Sequence, residues 1–96
     1  MFLSKEESKA VKDILNRAIP NLKVLAFGSR VSGKNLKPFS DLDLAIIGNG
    51  AISFDTLCKI KEEFSNSDLP FMVDIVDYNA VDKNFAEVIK KHSQPI

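Results

Sequence analysis

The chain has 96 residues, 13 Lys and Arg against 13 Asp and Glu, and 45% apolar side chains. That length supports one core and one domain over residues 1–96, and a net charge of zero excludes the broad basic field with which proteins grip nucleic acid. The lone cysteine, Cys58, excludes an internal disulfide and suits a reducing compartment; with no apolar run of the length a signal peptide or membrane span needs, the expected location is the cytoplasm.

Ser4-Lys5-Glu6-Glu7 has the form of a capping box, and Val11, Ile14, Leu15, Ala18 and Ile19 follow at helical spacing. Pro20 stops this helix near Ala18 or Ile19. Leu22 to Phe27 is a compact apolar run ending at Gly28, as in a buried strand. Ser29 to Gly33 suits one helical turn opening at Ser29, and Lys34 to Ser40, with its Asn, Pro and Ser, is a loop. Asp41 to Ile47 reads as a strand with acids at its entrance. Ser53 caps a second long helix with Phe54, Leu57, Ile60 and Phe64 on one face, and Pro70 prevents its continuation. Phe71 to Asp77 is a third strand. Asn79 is placed to cap a last helix carrying Val81, Phe85, Val88 and Ile89 inward, with Pro95 just past its end. Cys58 is expected to be a small buried hydrophobe, and His92 a structural residue near a helix end. The alternation favours an α/β (α+β) sandwich with a small helix-covered sheet. The link from Phe27 to Leu42 serves either a hairpin or a crossover.

Asp41 and Asp43 are two residues apart. On a strand they share one face, roughly 6.5–7 Å apart at Cα, while Leu42, Leu44 and Ile46 take the other. Converging carboxylates repel and need a cation, and Mg²⁺ is a hard ion that prefers oxygen. The pair alone is more often the mark of a solvated strand edge. Asp74 adds weight because it interrupts a second apolar strand, where aspartate is disfavoured. Were the two strands neighbours, about 4.8 Å apart, all three acids would meet at one edge of the sheet. Asp77, three residues on, faces the other way, as a strand-end or helix-capping residue.

Gly28-Ser29 directly follows the first strand. Glycine admits a close ligand, the serine hydroxyl can bond a phosphate oxygen, and free N–H groups at a helical start point at an anion. Arg30, Lys34 and Lys37 can offset triphosphate charge, with Arg30 the best placed. Phe2, Leu3, Phe39 and Phe71 can contribute to a partner surface, although core packing is favoured for Phe71.

Gly28-Ser29-Arg30, Gly33, Ser40-Asp41-Leu42-Asp43-Leu44-Ala45-Ile46 and Val73-Asp74-Ile75-Val76-Asp77 together resemble the polymerase-beta-like nucleotidyltransferase superfamily. The closest match is its minimal stand-alone branch, often encoded beside a HEPN-domain protein as a toxin–antitoxin pair. The resemblance covers essentially the whole chain and implies a nucleotidyltransferase fold, a mixed sheet in αβαβαβα order with the site on one edge. It implies that Gly28, Ser29 and Arg30 bind ATP, and that Asp41, Asp43 and Asp74 are catalytic and bind Mg²⁺, two ions with bound nucleotide. The reaction it implies is transfer of AMP to a hydroxyl of a HEPN-domain partner; a second copy of the chain is another candidate partner, and membrane or nucleic-acid partners are not expected. Two alternatives stand beside it: a non-catalytic module that masks the partner, and a small-molecule nucleotidyltransferase.

Overall fold

The computed structural model describes residues 1–96. Ser4 accepts a hydrogen bond from the Glu7 N–H at 3.0 Å and donates its own N–H to the Glu7 carboxylate at 2.8 Å. This reciprocal cap opens α1, Lys5–Ala18, and is worth about 1 kcal/mol. The strand β1 follows at Lys23–Phe27, the single turn α2 at Ser29–Ser32, and β2 at Leu42–Ile47. Ser53 caps α3, Phe54–Ser65, accepting from the Thr56 N–H. After it come β3, Val73–Asp77, α4, Lys83–Lys91, and a two-residue strand β4, Gln94–Pro95.

The sheet runs in the order β3-β2-β1-β4. The link between β1 and β2 makes them antiparallel, with Val24 opposite Ile46 and Phe27 opposite Asp43. β3 pairs parallel to β2, so α3 is the crossover between them. Val24, Ala26, Leu42, Leu44, Ile46 and Ile75 share one face of this sheet and meet Val11, Ile14 and Leu15 of α1 and Ile60 and Phe64 of α3 in one core. The opposite face carries Phe27, Asp43, Ala45 and Asp74. Phe85 of α4 meets Phe27 edge-on at 5.8 Å there, and Ala45 and Ile89 are fully buried. No helix is long and apolar enough to cross a membrane.

Several expectations are corrected. Asp82, not Asn79, caps α4, accepting from the Phe85 N–H. Asn79 instead donates its side-chain amide to the carbonyls of Gly48 and Gly50. Of the four residues expected to face inward from α4 only Ile89 is buried, while Phe85 and Val88 are exposed. Phe85 still packs its ring edge-on against Phe27 of the sheet. Phe54 and Cys58 are also exposed, since the face α3 turns to the core carries Ile60 and Phe64. The strand β4 was not anticipated. Pro95 lies opposite Leu25 at the sheet edge, where a residue without an N–H costs no ladder bond.

Candidate active site

Three chain segments end at one corner of the sheet: the C-terminal end of β1, the start of β2 and the start of β3. Antiparallel pairing of β1 and β2 brings the Gly28-Ser29 turn beside Asp43, because Phe27 is Asp43's register partner. Parallel pairing of β2 and β3 makes Asp43 and Asp74 direct partners, so both carboxylates leave the same sheet face. Asp41, just before β2, is exposed.

Gly28 adopts φ +80° and ψ −159°, a region open in practice only to glycine. A β-carbon built there would collide with the Asp43 carboxylate. The chain thus needs glycine at this point twice over, for the turn and for the approach of the acid. The Gly28 carbonyl accepts from the N–H groups of Val31 and Ser32. Those of Ser29 and Arg30 have no intrahelical acceptor, as in any first turn, and no side chain caps them.

Burial pushes the Asp43 carboxyl up to about 6, and the neighbouring charges of Asp74 and then Asp41 push the same way. The two ion pairs of the molecule, Lys9 with Asp13 and Arg17 with Glu63, lie elsewhere, so no basic side chain relieves this acidic corner. The side chains do not close into a cluster that would hold a metal ion as they stand; three like charges stand apart. Their chemistry nevertheless fits a hard divalent cation. All three offer carboxylate oxygen, one of them is held against its will to ionise, and a phosphate-type turn adjoins them to complete the ligand set.

The Arg30 side chain turns into the fold. It is only 5% exposed, and its guanidinium donates to three backbone carbonyls: Nε to Ser40 at 2.9 Å, Nη1 to Phe2 at 2.9 Å and Nη2 to Pro38 at 3.0 Å. The guanidinium carbon also sits 4.1 Å from the ring centre of Phe71. With three of its five N–H donors engaged by carbonyls and its face stacked on Phe71, the Arg30 side chain is committed to holding the fold together. It ties the loop before Asp41 and the residues before β3 to α2. Lys34 and Lys37 are exposed loop residues. Phe71 is buried in the core cluster, as favoured above, whereas Phe39 is exposed.

Asp77 faces away from Asp74, as its odd spacing requires, and it is 7% exposed. Its carboxylate accepts from the Ile52 N–H at 2.7 Å and the Asn79 N–H at 3.0 Å. It fastens the β2–α3 loop to the end of β3 and caps no helix. The sequence signal for Asp77 equals that for Asp74, an acid in an apolar strand; only parity separates them.

A mixed sheet with a phosphate-type turn at one strand end and paired acids on the next two is the architecture of a nucleotidyltransferase domain. The chain belongs to the polymerase beta nucleotidyltransferase family, whose model matches residues 9–96. Over 89 residues it is 46% identical to a probable protein adenylyltransferase MntA of Haemophilus influenzae, covering 93% of this chain and 77% of that protein. A solved toxin–antitoxin with AMP-PNP superposes with a TM-score of 0.75 at 20% identity, over 91% of this chain and 69% of that one. A mutant of the MntA–HpeT toxin–antitoxin gives 0.70 at 19% identity, over 93% and 69%. These two structures share the fold.

Proposed function

We propose that this chain transfers AMP from ATP to a hydroxyl group of a partner toxin, a HEPN-domain protein, and so acts as its antitoxin. The observation that carries this reading is the register pairing of Asp43 with Asp74 on the face beside Gly28. The relative named as a probable protein adenylyltransferase supports the reaction, and the toxin–antitoxin fold neighbours support the partner.

In this reading Gly28 and Ser29 hold the triphosphate through backbone N–H groups and the serine hydroxyl. The acceptor oxygen bonds to the α-phosphorus, and the bond from that phosphorus to the bridging oxygen of pyrophosphate breaks. Asp74 receives the acceptor's proton, and pyrophosphate leaves with the electron pair. Asp41, Asp43 and Asp74 would hold Mg²⁺, which stabilises the charge on the entering and leaving oxygens. Positioning and electrostatics supply most of the acceleration in such chemistry. The free, exposed thiol of Cys58 suits a reducing cytoplasm.

The test is mass spectrometry of the partner after co-expression with this chain. An added adenylate on a hydroxyl-bearing residue is expected, and its loss with Asp43→Ala while the two proteins still associate. Toxin neutralisation that persists in Asp43→Ala would instead mark a masking module.

A further inference from the structure

The outer edge of β3 is open. β3 is the terminal strand of the sheet. Its Met72 carbonyl accepts from Leu42, and its Tyr78 N–H donates to Ile46. Backbone groups alternate in direction along a strand, so those of Met72, Asp74, Val76 and Tyr78 turn to β2. Those of Val73 and Ile75 turn outward, and no loop bonds to them. Along this edge runs a groove of 720 Å³ whose lining includes Phe39, Phe64, Leu69, Phe71 and Met72 together with Lys61 and Asp74. Phe39 and Met72 are 72% and 71% exposed, which is unusual for large apolar side chains standing together.

The order of groups across the sheet says what this groove is for. The phosphate turn sits at β1, Asp43 on β2, Asp74 on β3, and the groove lies beyond. In an in-line displacement the entering and leaving oxygens lie on opposite sides of phosphorus. Pyrophosphate departs on the side of Gly28 and Ser29, so the acceptor hydroxyl enters on the side of β3. From that geometry we infer that an extended segment of the partner adds to β3 as a fifth strand. It bonds the free groups of Val73 and Ile75, seats apolar side chains in the groove, and presents its hydroxyl-bearing residue opposite Asp74. Strand addition takes affinity from the main chain and specificity from alternate side-chain pockets. This inference rests on the transfer reading above.

The experiment maps amide exchange by NMR on the ¹⁵N-labelled chain, alone, with AMP-PNP and Mg²⁺, and in complex with the partner toxin. Protection of the Val73 and Ile75 amides is expected only in the complex, while AMP-PNP perturbs Gly28 and Ser29. In parallel, Val73→Pro removes an outward N–H without touching the β2 ladder, and Met72→Glu places charge in the groove. Each is expected to lower kcat/KM for the partner by about tenfold, with the AMP-PNP dissociation constant changed less than about twofold. The inference is overturned if no complex forms, or if the complex leaves those two amides exchanging as in the free chain. Protection by AMP-PNP alone, which would give the groove to the nucleotide, or protection in the free chain through self-association, overturns it too. Failure of AMP-PNP to perturb Gly28 and Ser29 would sink the transfer reading separately, since edge protection is read without turnover.

Discussion

The carboxylate of Asp43 occupies the space that a β-carbon on Gly28 would fill. The phosphate turn and the acid on the next strand are therefore one construction. Gly28→Ala forces the turn out of its glycine-only backbone region, at a cost of about 1–3 kcal/mol, and pushes the carboxylate aside. The expected result is a lower melting temperature together with a transfer rate reduced roughly 100-fold, read by thermal denaturation and an adenylation assay.

Asp43 links stability to pH. Its carboxyl titrates near 6 in the folded chain against an ordinary 3.8, so the fold binds this proton more tightly than the unfolded chain does. The stability this contributes is fully present below about pH 4 and is lost as pH rises through about 6. Asp43→Asn does not titrate. In EDTA it should gain on the wild type as pH climbs from 4 to 7, by about 1 kcal/mol once solvent screening of a half-buried group is allowed for. A stability difference that stays flat between pH 4 and 7 in urea titrations contradicts this.

Arg30 anchors the corner, so its loss should be felt in folding. Arg30→Met leaves three carbonyls without their charged donor and removes the stack on Phe71, costing on the order of 3 kcal/mol. Arg30→Lys cannot span three acceptors with one ammonium and should recover less than half of that. Chemical denaturation of the three proteins gives the ranking.

Asp74 and Asp77 should part company. Asp74 is exposed at the site, and Asp74→Ala is expected to abolish transfer with the melting temperature nearly unchanged. Asp77→Ala strips acceptors from the N–H groups of Ile52 and Asn79, costing about 2–4 kcal/mol, yet the folded fraction should bind AMP-PNP normally. Melting curves and calorimetric titration on both variants distinguish the roles.

Metal and nucleotide should bind as a pair. AMP-PNP with Mg²⁺ at about 100 times the dissociation constant adds about 2.7 kcal/mol, which raises the melting temperature by roughly 10–20 °C in a domain of this size. EDTA or Asp43→Ala should remove most of that rise. An equal shift in EDTA would show that the acids do not hold a cation with the triphosphate.

Much of this was legible in the chain because local rules and long-range packing agree. The Ser4–Glu7 box, the Ser53 cap and the apolar runs before Gly28 and after Asp41 each specify an element by themselves. Asp41 and Asp43 stood out as acids sharing one face at a strand entrance, Asp74 as an acid where a strand disfavours it, and period-two alternation set their faces. The structural role of Arg30 was not legible because sequence proximity to a phosphate turn says nothing of direction; its side chain turns inward to carbonyls contributed by residues as distant as Phe2. Asn79 and Asp82 are equally good caps on paper, and the choice fell to the Gly48–Gly50 loop, which claims Asn79. The strand at Gln94–Pro95 is too short for any periodic signal and exists only because β1 offers it an edge.

The parallel pairing of β2 and β3 also bears on how the molecule comes together. β1, the phosphate turn and β2 are near neighbours along the chain, and such contacts form quickly. Asp74 reaches its partner only after α3 has crossed over, a contact of longer separation that forms later. A chain caught with β3 undocked would keep its Gly28-Ser29 turn and lack the acid proposed as base, so on the proposed reading brief fraying of a single outer strand is enough to stop transfer while the remaining three strands stay folded.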